Sequence, residues 1–302
     1  MKKILYFLIT CVFCPFLSYG QYSVENRLFQ MNKFSINNAY AGFDGIPRLS
    51  ITGSYQTNRT NDEATNYFHL INFDMPVATN LSIGTRFMHL QKGNVQNMVI
   101  EQSIGYKLDL NKQHKLNFGL GLGIQKNSLA TDVYTNRYVQ ANDPLIDQGN
   151  YNETQTRIEF GAVYQFKSLE VSFSSPMLVG TDGIEQGLNA YADYDFYFSG
   201  DKYRLTLATM YSKTGVSGIQ NEIYASTQFE YNKIIWIQAG YTDSEILHVG
   251  SGVNLKALNL GYNYSIPLSN ELHSLINNNH QISLVFQFRK FARYKKFGRV
   301  ER

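Results

Sequence analysis

From Arg48 onward, apolar positions alternate with polar or small ones at a period of two. Successive strand side chains point to opposite faces, so this spacing predicts strands with one greasy face. Lys115–Lys126 is the clearest run. Leu116, Phe118, Leu120, Leu122 and Ile124 share one face, and Asn117, Gly119, Gly121, Gly123 and Gln125 share the other. Such runs predict about fourteen strands. They lie near Arg48–Gln56, Thr65–Asp74, Leu81–Leu90, Met98–Leu108, Lys115–Lys126, Thr154–Phe166, Leu169–Ser175, Leu188–Phe198, Tyr203–Ser212, Asn221–Glu230, Ile234–Tyr241, Ile246–Leu255, Leu258–Ile266 and Gln281–Phe288. Most approach the ~9–11 residues a tilted strand needs to cross a bilayer. The second run is ambiguous, because Phe68 and Leu70 oppose Tyr67, Ile71 and Phe73.

The charges sharpen the picture. Arg86, Glu101, Lys107, Arg157, Glu159, Glu170, Asp193, Asp195, Arg204, Glu222 and Glu230 all fall on the polar register. A soluble sandwich would show the same alternation. A membrane barrel explains three further features: the strands are many and long, the small face is rich in glycine rather than Lys and Glu, and the apolar face often ends in Tyr or Phe. Tyr106, Tyr164, Phe166, Phe198, Tyr203, Tyr211 and Tyr241 are the predicted girdle. The expected fold is therefore an all-β, antiparallel, up-and-down transmembrane barrel of about 14 strands, over 48–288. Its odd connections include the long Asn127–Glu153, Pro176–Gly187 and Pro267–His280. Its even ones include the short Lys167–Ser168, Ser199–Lys202, Tyr231–Lys233 and Lys256–Ala257. Long loops outside and tight turns inside are the outer-membrane pattern. A closed barrel satisfies every backbone group in lipid.

Both ends stand apart from this pattern. Lys2 and Lys3 precede an apolar run, Ile4–Leu17, and small residues end at Gly20. This predicts a cleaved secretory signal over 1–20. The alternative is a lipoprotein signal ending at Cys11, which would leave an unusually apolar mature start. Residues 21–47 precede the first strand and are expected to be either a periplasmic lead-in or a plug, since the Gly-rich face leaves room inside. Arg289–Arg302 carries seven basic residues and one acidic one. That basic C-terminal tail, 289–302, fits an acidic partner or lipid head groups, or is simply a solvated terminus.

Composition excludes several function classes. Of 302 residues, 17% are charged and 14% aromatic, which no disordered chain would show. A net charge of +3 gives no footprint for nucleic acid. Both cysteines, Cys11 and Cys14, lie in the apolar N-terminal run, so the remainder has no thiol chemistry. Gly119-x-Gly121-x-Gly123 lies inside a strand pattern and is not a phosphate loop. The six histidines show no metal-ligand spacing. Asp193 and Asp195 share one strand face and suit a hydrated inner wall, paired with Arg157 or Arg204, better than a cation site. The sequons at Asn58 and Asn152 carry no weight. No catalytic residue, cofactor or metal is expected. A hydrolase would need a convergent set, for which His89 and His248 are the best candidates.

Asn37-Asn38-Ala39-Tyr40-Ala41-Gly42 resembles the Asn-Pro-Ala-Tyr-Ala-Gly signature near the mature start of the PorP/SprF family, outer-membrane proteins of the type IX secretion system in Bacteroidota. Asn72-Phe73-Asp74-Met75-Pro76 and Gly105-Tyr106-Lys107-Leu108 extend the resemblance. So do Lys115–Leu120, Phe160–Tyr164 and Ser172–Pro176. Asn38 stands where the signature has proline. The resemblance implies an outer-membrane barrel assisting export and surface attachment of particular adhesin-like cargo, often linked to gliding motility. The implied partners are membrane lipid, the cargo's C-terminal domain and other secretion components in the periplasm. Within that reading Tyr134, Arg137 and Tyr138 are the candidate contact residues, because Tyr and Arg dominate interface hot spots. The alternative function is a passive channel for small solutes.

Overall fold

A computed structural model describes residues 25–57, 65–93, 95–129, 153–176, 187–213, 221–270 and 277–289. The strands are β1 (Arg48–Thr57), β2 (Thr65–Pro76), β3 (Leu81–Lys92), β4 (Val95–Asp109), β5 (His114–Leu129), β6 (Glu153–Phe166) and β7 (Leu169–Ser175). They continue as β8 (Leu188–Phe198), β9 (Tyr203–Lys213), β10 (Glu222–Tyr231), β11 (Ile235–Thr242), β12 (Ile246–Asn254), β13 (Leu258–Pro267) and β14 (Asn279–Gln287). Every strand pairs with its sequence neighbours, and β14 closes on β1 into one barrel. The seam runs from Arg48 opposite Gln287 to Tyr55 opposite His280. Full closure removes the exposed edges that would otherwise seek partners.

The predicted greasy faces point outward. On β5, Leu120 and Leu122 are 56% and 61% exposed, while Asn117 between them and the turn is buried. Glu101, Glu159, Glu170, Asp193, Asp195, Glu222 and Glu230 are buried on the inner wall. The outer face also carries a polar pair at opposed positions of β3 and β4, where Thr85 Oγ1 donates to Gln102 Oε1 at 2.8 Å. Pairing within the wall lowers the cost of facing lipid.

The ambiguity of the second strand has a packing cause. Ile71 and Phe73 face out, while Phe68 and Leu70 turn inward and cluster with Leu90 and Met88. The lumen is apolar there, so both registers of β2 are apolar. Two strands also run past their predicted ends. Asn127 still pairs with Glu153, so the expected loop at Asn127–Glu153 begins only after Leu129. β14 likewise starts at Asn279, inside the expected loop. Backbone pairing continues there after the side chains have stopped alternating. Residues 1–24, the tail beyond Arg289, and Tyr134, Arg137 and Tyr138 lie outside the described residues.

The even-numbered connections are tight turns, and the starts of β1 and β3 share their end of the barrel. We call this the turn side and the opposite end the loop side. Two turns place lysine in the left-handed region, Lys167 at φ 52° and Lys233 at φ 60°. Asn232 precedes Lys233 at φ 52°, so this is the two-residue hairpin conformation that favours Asn-Gly. A side chain at such a position costs about 1–2 kcal/mol relative to the ordinary backbone.

Leu120→Lys, at mid-strand on the outer face, is expected to destabilise the folded barrel by about 2–4 kcal/mol in urea unfolding from lipid vesicles. Leu108→Lys, at the turn-side rim, is expected to cost no more than about 1 kcal/mol in the same assay.

Candidate functional site: the lumenal segment and its vestibule

The barrel interior is occupied by the chain that precedes β1. Glu25 forms an ion pair with Lys92 at the end of β3, on the loop side. Arg27 meets Glu222 at the start of β10, also on the loop side. At the other end, Arg48 joins Asp74 near the turn side. Residues 25–48 therefore traverse the lumen from the loop side to the turn side.

The segment advances as three short 3-10 turns, Phe29–Met31, Lys33–Ser35 and Asn38–Tyr40. Asparagine side chains satisfy its free amides locally. Asn26 Oδ1 accepts from Leu28 N at 3.1 Å, Asn32 Oδ1 from Phe34 N at 3.2 Å, and Asn37 Oδ1 from Ala39 N at 2.8 Å. Short Asx turns of this kind replace a ladder the segment does not have. Its apolar residues bury themselves against the wall. Phe29 lies edge-on to Tyr191 and Tyr224, at 5.5 and 6.0 Å between ring centres.

The Asn-Asn-Ala-Tyr-Ala-Gly stretch fits the wall residue by residue. Asn37 Nδ2 donates to the carbonyls of Ala162 and Phe173 at 3.2 and 2.9 Å. Asn38 opens a 3-10 turn, the position whose amide needs no intrahelical acceptor. That is where proline is tolerated, so the Asn at this place keeps the turn. Tyr40 Oη donates to Glu170 Oε1 at 2.8 Å. The Ala41 carbonyl accepts from Ser82 Oγ at 2.6 Å, and Gly42 N donates to Asp74 Oδ2 at 2.9 Å. Gly42 has φ +59°, and a Cβ there would also strike Ser82.

The glycine face of β5 exists for this contact. A Cβ on Gly119 would run into the backbone at Asn38 and Ala39, and one on Gly121 into the Asn38 amide. Gly161 of β6 stands against Asn37, and Gly84 of β3 against the Phe34 ring. These strands admit the segment's backbone because they present none of their own side chains.

Charges inside the lumen are paired with the segment or with each other. Arg27 forms two contacts with Glu222, at 2.8 and 2.9 Å. Lys33 Nζ bridges Glu170 and Asp193, both at 2.5 Å, and lies 4.8 Å from the Tyr191 ring centre. Arg86 and Arg157 bind Glu101 and Glu159 as a four-member cluster, at 2.8–3.3 Å. Arg86 also donates to Asn38 Oδ1 at 3.0 Å. Each buried carboxylate would be costly alone.

The first turns of the segment pack against β8, β10, β13 and β14, its last against β2–β6, and space remains on the turn side of the first turns. There a vestibule of about 810 Å³ is floored by Gln30, Lys33, Tyr40 and Phe43 and walled by β7–β10. Its mouth lies among the tight turns, at Lys167, Asp201, Lys233, Lys256 and Arg289. Among the described residues, its lining stops at the segment and does not reach the loop side.

The wall residues named from the sequence divide as follows. Asp195 meets Arg204 at 3.8 Å, as expected. Asp193 instead takes Lys33, and Arg157 goes to Glu101 and Glu159. Arg157 sits across the lumen from β8, nearer to those acids. His89 lies on the outer register, 6.4 Å from His69 between ring centres, whereas His248 is buried inside with Nδ1 2.8 Å from Ser265 Oγ. The wall separates the two, so the hydrolase set is not assembled. Gly119, Gly121 and Gly123 lie within β5. Arg27, Lys33 and Tyr40, which complete the lumenal network, carry no periodic signal. Only the surplus of carboxylates on the inner register pointed to missing cations.

Lys33→Met leaves Glu170 and Asp193 buried without their cation, a loss of about 3–5 kcal/mol. The segment is expected to leave its seat, so that trypsin cuts after Arg27 in detergent-solubilised protein. The unaltered barrel is expected to resist at both Arg27 and Lys33. Gly119→Val is expected to expose the same bonds by a steric route.

Comparison with known proteins agrees with this architecture. The Ralstonia pickettii toluene transporter TbuX is similar in fold, with TM-score 0.53 and 10% identity over 87% of this chain and 94% of that one. The Pseudomonas putida toluene transporter TodX gives 0.50 and 9%, over 89% and 95%. At such identities the likeness concerns the barrel alone. No curated protein matches the chain in sequence. The family described as type IX secretion system membrane protein PorP/SprF matches residues 18–286. That span takes in the lumenal segment and nearly the whole barrel, and the chain belongs to the PorP/SprF family of type IX secretion system membrane proteins.

Proposed function

We propose that this outer-membrane barrel assists export and surface attachment of specific adhesin-like proteins, receiving the C-terminal domain of that cargo. The supporting observation is the family match, carried by a signature whose residues form the core of the lumenal segment. The barrel acts as anchor. Long loops face the cell exterior and tight turns the periplasm, following the general rule for such barrels. The vestibule then opens toward the periplasm, where other secretion components reside. The chemistry offered is recognition, and no residue is assigned a catalytic step.

A passive channel is the second reading, suggested by the toluene transporters that share the barrel fold. Against it stands the segment from Glu25 to Pro47, which runs through the lumen and is tied by ion pairs at both ends.

Deleting the gene is expected to leave one or a few large surface proteins in the periplasm while others still reach the surface. Surface labelling followed by mass spectrometry checks this, and unchanged export of all of them would end the proposal. In planar bilayers the intact protein is expected to show no steady conductance. A variant lacking residues 25–44 is expected to conduct.

A further inference from the structure

The vestibule has two electrical zones. Carboxylates of the wall are matched within the protein: Glu170 and Asp193 by Lys33 in the depth, and Asp195 and Glu230 by Arg204 nearer the turn-side ends of β8–β10. These acids outnumber the cations beside them, so the depth is mildly negative. The mouth is the reverse. Lys167, Lys233, Lys256 and Arg289 line it, and among the described residues none forms an ion pair. Asp201 and Asp44 are carboxylates at their level, Asp44 paired with Arg48. Lys167 and Lys233 occupy left-handed turn positions that glycine or asparagine would hold with less strain.

Lysines that serve a bilayer reach outward along the lipid face to the head groups. Lys233, Lys256 and Arg289 line the opening instead, and Lys167 lines it with its ammonium 5.3 Å from the ring of outward-facing Phe166. The chain's own tail after Arg289 is basic and is repelled by the same charges. From this we infer that the mouth of the vestibule binds an acidic peptide segment presented from the periplasm. Its carboxylates would meet Lys167, Lys233, Lys256 and Arg289. The negative depth keeps a uniformly acidic chain near the mouth, or favours one led by a basic residue. The cavity volume falls within the usual range for ligand sites, roughly 300–1,000 Å³. Placement of the mouth in the periplasm rests on the orientation used in the proposed function. The binding chemistry does not.

The test uses the full-length protein in nanodiscs and fluorescein-labelled peptides read by anisotropy. The probes are (Glu-Gly)4, (Gln-Gly)4 and (Lys-Gly)4. The mouth variant combines Lys167→Asn, Lys233→Gly and Lys256→Gln. The first two relieve strained turns, so loss of folding is not expected, and heat-shifted gel mobility verifies the barrel. The control combines Lys112→Gln and Lys202→Gln, turn lysines that do not line the vestibule. The inference expects binding of (Glu-Gly)4 alone, weakened about tenfold in the mouth variant and unchanged in the control, with weakening at raised salt. Equal binding to the mouth variant overturns it, as does equal binding of the three peptides. Loss of co-purifying phosphatidylglycerol from the mouth variant without change in peptide binding overturns it in favour of lipid. Normal cargo export by a mouth variant that has lost peptide binding leaves the site standing but separates it from export. Unchanged export on gene deletion removes the secretion role and leaves the site untouched.

Discussion

A buried carboxylate must be neutralised, and in this barrel three of the wall's acids take their cations from outside the sheet. Glu170, Asp193 and Glu222 project from the inner wall and are buried beneath the segment. Their partners, Lys33 and Arg27, belong to the segment before β1. The wall alone would hold stranded charge, and the segment alone has no ladder to fold on. Each completes the other. The glycines of β5 and β6 serve this arrangement, since they let the segment's backbone reach the depth at which its cations meet the acids.

The segment crosses from β8, β10 and β13 at its start to β3, β5 and β6 at its end, and the vestibule is the space left on its turn side. Glycines of β3, β5 and β6 admit the Phe34–Ala39 stretch, whereas β7 and β8 meet the segment through Glu170, Tyr191 and Asp193, and Asp195 and Arg204 border the vestibule. A through-passage would require the segment to leave. A blind cavity open at the turn side requires only that it stay. The second arrangement suits recognition of a chain end or loop better than bulk diffusion of solutes.

Much of this was legible in the residues. Alternation placed all fourteen strands and, outside β2, their inner and outer faces, because lipid on one side and polar lumen on the other impose contrast at every second position. The contrast failed at Thr65–Pro76, where Phe68 and Leu70 meet a local apolar patch inside. It also failed at strand ends such as Asn127, where hydrogen bonding outlasts the bilayer. The lumenal segment was visible only as a motif. Its 3-10 turns are too short for a period, and its choice between lead-in and plug depended on three-dimensional fit with Gly119, Gly121 and Gly161. Pairing across the lumen was legible for Arg204 and Asp195, which are on adjacent strands, but not for Lys33, whose two partners lie more than a hundred residues away.

The path of residues 25–48 constrains biogenesis. The segment joins β1 at the turn side, so that opening is the way by which its leading end can enter the lumen, whether or not the seam between β1 and β14 has already closed. The same opening leads to the vestibule, so a segment still outside the barrel would occupy the entrance that the seated segment leaves free.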